Sequence, residues 1–145
     1  TMAGTAAVIR NPASVRPWQH VLEPLAGYLL LAQRLTDALA RAADAWNFGP
    51  RDDEPVPVAD IAQRFVARLG RGTLELRAPD PSAPKESVTL RLDSTRARAL
   101  GWRPQLGVDE AVDLTAAWYR AWMDEPAGVR ALLDAQIAAY YAKLT

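Results

Sequence analysis

The chain has no cysteine, a single histidine and only two lysines among its 145 residues. Without cysteine there are no disulfides and no thiolate metal sites, a usage that suits a cytoplasmic protein. The lone histidine, His20, has no second ligand beside it and no nucleophile partner, so neither a zinc site nor a catalytic triad is expected. Seventeen basic residues balance seventeen acidic ones, with no basic block. Nucleic acid and an anionic membrane surface are therefore not the expected partners. Half of the residues are hydrophobic, yet no apolar run nears the roughly 20 residues that span a bilayer. Glycine is sparse where a dinucleotide would need it. Gly70 and Gly72 lead into Thr73-Leu74-Glu75-Leu76, which alternates as a strand instead of opening a helix. The first residues, Thr1 to Ala7, lack the charged start and apolar core of a signal peptide. Residues 1–8 read as a start segment or cleavage boundary.

What is present is one domain's worth of chain, residues 9–145, long enough for a real core. Ala7 to Arg10 reads as a short strand and Asn11-Pro12-Ala13-Ser14 as a turn. Leu22, Leu25, Leu29, Ala32, Leu35 and Leu39 recur at helical spacing and predict a helix from Leu22 to about Ala43, with Pro24 tolerated in its first turn. Trp46 to Gly49 reads as a short strand. Val58, Ile61, Phe65, Val66 and Leu69 predict a helix closed by Gly70. Thr73 to Arg77 alternates as a strand, and Val88 to Leu92 is a further extended piece. Ser94 to Leu100 is a short helix capped by Asp93 or Ser94. Helices over Val108–Met123 and from Val129 to Leu144 complete the chain. The fold class is α+β: helix-rich with a few short strands and no complete Rossmann domain. Trp102, Trp118 and Trp122 read as core. The acidic run Asp52-Asp53-Glu54 lacks the spaced ligands of a calcium loop and reads as solvated.

The densest chemistry lies in Arg16-Pro17-Trp18-Gln19-His20-Val21-Leu22-Glu23-Pro24-Leu25, at a loop-to-helix junction. A guanidinium pairs bidentately with phosphate oxygens, and the free N–H groups of a helix start favour the same charge. Arg16 thus suits an anionic ligand, or else pairs with a carboxylate such as Glu23. Asn47 carries donors and an acceptor on one plane, fit for phosphate or ribose oxygens or for satisfying its own turn. Trp18 borders a pocket or fills core, and Gln19 stays open. His20 reads as a hydrogen-bonded structural residue that also lies in the candidate site.

The same run carries a resemblance. Together with Ile9-Arg10-Asn11-Pro12, Gly27-Tyr28-Leu29, Ala45-Trp46-Asn47-Phe48-Gly49-Pro50 and Leu100-Gly101-Trp102-Arg103-Pro104, it resembles the C-terminal part of the CDP-glucose 4,6-dehydratases. These are nucleotide-sugar lyases of the extended short-chain dehydrogenase/reductase family. The resemblance implies a helical substrate-binding lobe that closes over CDP-glucose. It implies a reaction giving CDP-4-keto-6-deoxy-D-glucose and water, in 3,6-dideoxysugar synthesis, with NAD taking hydride from C4 and returning it at C6. The family's Tyr-x-x-x-Lys pair has no match here: Lys143 stands three residues after Tyr140, and Met123 four after Tyr119. No catalytic residue is therefore assigned to this chain, and NAD is expected to sit on a missing Rossmann half. Arg16 matches the family's diphosphate-contacting arginine and Asn47 its nucleotide-proximal asparagine. Glu86, after Lys85, stands where relatives carry a His-Glu pair near the base or ribose. The substrate-binding candidates are Arg16, Trp18, Gln19, His20, Asn47 and Glu86. Loss of the Rossmann half would leave an apolar face, so a homo-oligomer or a silent interaction module is the rival expectation. A dehydratase or epimerase for another nucleotide sugar is a further alternative.

Overall fold

Helical periodicity dominates the sequence, and helices dominate the structure. A computed structural model of the chain describes residues 5–38, 44–51, 55–79, 82 and 87–144. Its helices are α1 (Leu22–Ala38), α2 (Val58–Leu69), α3 (Thr95–Ala99), α4 (Val108–Asp124) and α5 (Val129–Leu144), with a 3-10 turn at Pro126–Gly128. Two strands, β1 (Ala7–Ile9) and β2 (Leu74–Leu76), pair in parallel with Ala7 opposite Leu74 and Ile9 opposite Leu76. Parallel pairing demands a crossover, here the stretch holding α1 and α2. The architecture is helix-rich α+β without a full Rossmann domain. Among the described residues, no helix is long and apolar enough to cross a membrane.

Each end of α2 shows how local chemistry sets an element. No side chain caps its start; the amides of Val58 and Ala59 donate to the carbonyls of Ser14 (2.8 Å) and Pro12 (3.0 Å). The Asn11–Ser14 turn, closed by the Ser14 amide on the Asn11 carbonyl, thus satisfies helix donors that would otherwise be orphaned. At the other end Gly70 takes a left-handed φ of 74°, and its N–H closes on the Val66 carbonyl. Packing joins α2 to α4 through Leu69, Ala111, Val112 and Ala116, all buried, and through Phe65 edge-on to Tyr119 at 5.8 Å. Arg64 and Arg68 cross to Asp109, and Arg68 also meets Asp113.

A second core surrounds Phe48, Ala97 and Trp102, with Leu30 and Leu31 of α1 packed against it. Phe48 meets Trp102 edge-on at 5.2 Å. Two sequence expectations change here, at 46–49 and at Trp122, and one holds, at Val88–Leu92. The stretch 46–49 is not a strand, because its polar groups go elsewhere: the Phe48 carbonyl accepts from Gln19 and the Gly49 amide donates to Ser94 Oγ. Val88–Leu92 stays extended but contributes a single bridge, Thr89 to Val15. Trp122 is 44% exposed and stacks on Trp118 rather than filling core. The short helix α3 is served by Asp93, whose carboxylate accepts the Thr95 N–H at 2.9 Å, while Ser94 is spent on Gly49. The end of the first predicted helix (residues 39–43) and the Asp52-Asp53-Glu54 run lie outside the described residues.

Candidate functional site

The segment 15–20 is clamped along its length. Val15 forms bridges to both Pro57 and Thr89, with its amide on the Val88 carbonyl at 2.7 Å. Arg16 then turns its guanidinium onto backbone oxygens: Nη1 donates to Val15 O (2.8 Å) and Ser87 O (3.1 Å). Its alternative partner Glu23 is not used, since that carboxylate is fully buried elsewhere. Trp18, half-buried, donates Nε1 to the Val56 carbonyl at 3.1 Å. Gln19 donates Nε2 to the Phe48 carbonyl at 2.7 Å, while its Oε1 is buried with no hydrogen-bond partner among the described residues. A buried unsatisfied oxygen is costly and marks a place where a donor is wanted. His20 is buried, and its Nδ1 accepts from the Leu22 N–H at 3.4 Å. Burial lowers the imidazole pKa, so His20 is held neutral.

The second wall is the block around Asn47. Gly27 lies so close to Phe48 that a Cβ there would stand 2.4 Å from the ring. Gly49 is pressed as closely on Leu92 and Ser94, where a Cβ would lie 2.9 Å from each. With residues 48 and 49 locked inward, Asn47 is turned to solvent. The Gln19–Phe48 bond sets this block against the Arg16–His20 segment. Arg16 in turn lines a shallow cleft with Pro50 and Arg51. The structure thus brings Arg16, Gln19 and the Asn47 block to one side of the molecule. Trp18 and His20 are committed to local bonds in the same segment. Glu86 lies outside the described residues, although its neighbour Ser87 is bonded to Arg16.

Below this surface lies a group that residue spacing does not announce. Glu23, at 0% exposure, accepts the backbone N–H of Gln105 (2.9 Å) and Leu106 (2.6 Å) on Oε1 and the Tyr140 hydroxyl (2.8 Å) on Oε2. Its own carbonyl accepts Trp102 Nε1 at 3.1 Å. The anion and burial together push the Tyr140 phenol well above its ordinary pKa, burial being the larger cause. One carboxylate therefore ties the start of α1 to the 102–106 loop and to α5. Trp102 stands out in sequence through Leu100-Gly101-Trp102; the Tyr140 contact, across 117 positions, has no local signal.

Family models match nowhere along the chain. Over 117 residues, 80% of the chain, it is 42% identical to CDP-glucose 4,6-dehydratase of Salmonella typhimurium strain LT2. A second similarity, 36% over 72 residues, is to the uncharacterized protein YbjS of Escherichia coli strain K12, covering 46% of this chain and 20% of that one. The first match occupies 32% of the enzyme, so the chain spans about a third of that relative's length. That region of the chain and the enzyme are homologous, which gives the chain an origin related to nucleotide-sugar dehydratases.

Proposed function

We propose that the chain is the substrate-binding portion of an NAD-dependent CDP-glucose 4,6-dehydratase, holding the diphosphate and nucleotide while a Rossmann half carries the chemistry. The observation that carries this reading is the joining of Arg16, Gln19 and the Asn47 block on one face, in a chain 42% identical to such an enzyme over 117 residues. Arg16 is oriented by the carbonyls it bonds, and Asn47 is held out to solvent by the locked residues after it. NAD does not fit the residues described. Gly70 caps α2 and Gly72, with a φ of 97°, opens β2, so neither supplies a glycine turn ahead of a helix. The reading therefore places NAD, and every catalytic residue, on the rest of a longer enzyme, and the chain alone is inactive. A cytoplasmic location follows from the same reading.

The test is a chimera in which this chain replaces the matching third of the Salmonella enzyme. The expected result is turnover of CDP-glucose, with Arg16→Ala weakening its affinity at least about tenfold while the fold is retained. Unchanged affinity would remove Arg16 from the diphosphate role. Preference for another nucleotide sugar in the chimera would reassign the substrate.

A second reading, a silent interaction module, is favoured by one observation. Leu25, Tyr28 and Leu29 of α1 are 45%, 57% and 73% exposed, although the same helix meets the Phe48–Ala97–Trp102 cluster through Leu30 and Leu31 and α5 through Glu23. The two readings share this face, since a Rossmann half or a second copy would each cover it.

A further inference from the structure

Helices α4 and α5 are tied by polar bonds at two points, with a hollow between the ties. Gln136 Nε2 donates to the Leu114 carbonyl at 3.0 Å, and Lys143 Nζ donates to Glu110 Oε1 at 2.8 Å. The space they frame is about 180 Å³, walled by Leu106, Leu114, Ala139 and Tyr140. We infer that this hollow is a binding site for a small, neutral, single-ring apolar compound. It shares no residue with the cleft beside Arg16, and nothing about it depends on the nucleotide-sugar reading.

Residue spacing makes the hollow. Gln136, Tyr140 and Lys143 fall at intervals of four and three, so they share the face of α5 that meets Glu110, Asp113 and Leu114 of α4. Ala139 lies on the same side and is too short to reach across. Tyr140 is large enough to fill the gap, but its hydroxyl is held by Glu23 Oε2 at 2.8 Å, so the ring forms a wall and not a plug. Helices in direct contact normally interdigitate their side chains to near-crystalline density. Here the small residue and the diverted tyrosine leave that density unmet.

Size, polarity and charge narrow the ligand. A dry apolar cavity of about 150 Å³ holds one benzene ring, so a space of about 180 Å³ admits a ring with one small substituent. Leu106, Leu114, Ala139 and the Tyr140 ring offer water few of the two to four hydrogen-bond partners it needs, so an apolar occupant displaces it at little cost. On the rim, Lys143 is paired with Glu110, Glu110 Oε2 also accepts the Gly107 N–H, and Asp113 is paired with Arg68. These groups neutralise one another. An ion entering the hollow would shed its hydration and gain no partner in return. Leu106 and Tyr140 are also two of the groups that hold Glu23, so a ring seated between them touches that network from outside.

The experiment is an amide NMR titration of the 145-residue chain with toluene and, separately, with benzylamine and with benzoate. Toluene should bind with a Kd of about 1 mM or tighter and shift the amides of Leu106, Leu114 and Ala139. The two ions should bind at least about tenfold more weakly. Ala139→Leu and Ala139→Phe place a side chain in the hollow and should each weaken toluene at least about tenfold, with helix content by circular dichroism unchanged. If phenylalanine unfolds the chain, the leucine variant decides alone. Ala138→Leu, at an exposed position outside the lining, should titrate like wild type. Toluene that leaves those three amides unmoved, an ion that binds as well as toluene, or Ala139→Leu binding like wild type would each overturn the inference. Toluene affinity that falls as protein concentration rises would also overturn it, by showing that a second copy of the chain fills the hollow.

Discussion

Glu23 is a carboxylate taken wholly out of water with three hydrogen-bond donors and no ion-paired cation among the described residues. Burying a charge is tolerated only when its lone pairs are met, and here two backbone N–H groups and a phenol meet them. Glu23→Ala orphans all three donors and should cost about 3–5 kcal/mol, at the upper end of single-residue effects. Tyr140→Phe removes one donor, leaves the two amides in place and should cost about 1–2 kcal/mol. Urea denaturation ranks them, and a Tyr140→Phe loss equal to that of Glu23→Ala would mean the phenol, not the carboxylate, is the hub. His20 gives the pH dependence. Its folded pKa lies below the unfolded 6.5, so the fold carries no penalty above that pH. As pH falls through 6.5 the unfolded chain takes up a proton that the buried imidazole resists, and stability declines until the folded pKa is passed. His20→Asn keeps an acceptor for the Leu22 amide without the titration. Its stability should fall less than wild type between pH 7 and pH 5, and parallel pH curves would place the acid sensitivity elsewhere.

At the level of elements, α2 and α4 are joined by an apolar seam edged by Arg64, Arg68, Asp109 and Asp113. Both acids are more than half exposed, so solvent screens the pairs heavily. Arg68→Ala should cost only about 0.5–1 kcal/mol, and less in high salt. Gly27→Ala should cost more, about 1–3 kcal/mol, although alanine is the better helix former, because the new methyl meets the Phe48 ring. If thermal melts show Gly27→Ala to be stabilising, Phe48 is free to move and Asn47 is not held by it. The same contrast explains what the sequence made legible. Residues repeating every three or four positions announced α1, α2, α4 and α5, because one helix's pattern is local. Gly70 announced the end of α2 for the same reason. The block 46–49 misled because aromatic and β-prone residues there serve packing: Phe48 fits against a glycine on α1 and its neighbours bond to Gln19 and Ser94. Glu23 was visible only as a neighbour of Arg16, since its true partners lie 82 to 117 positions away. Of the candidate site, the Arg16 and Asn47 segments were legible and their meeting was not.

For the molecule as a whole, the exposed stripe of α1 sets the behaviour to expect in solution. Leu25, Tyr28 and Leu29 sit three and four positions apart, so they form one stripe along the helix, and Val21 at 60% exposure continues it at the N-terminal end. Water contact with a stripe of that kind is unfavourable, and a two-fold axis lets two copies cover it with the same surface on each side. The two short strands add a second opening, because among the described residues their sheet has no third strand and a two-stranded sheet is marginal alone. The prediction is that the 145-residue chain self-associates, its mass by light scattering rising with concentration toward a dimer. Leu29→Asp should hold it monomeric without changing its helix content, because Leu29 is too exposed to support the fold. Ile137→Asp on α5, 44% exposed, is the comparison: equal suppression by both would place the contact on a broader surface than α1. A wild-type monomer at every concentration would remove the interaction-module reading while leaving the dehydratase reading intact. In the chimera, where the rest of the enzyme is present, Leu29→Asp should instead lower stability if that part covers α1. The two measurements together therefore separate a face made for another copy from a face made for the rest of a longer enzyme.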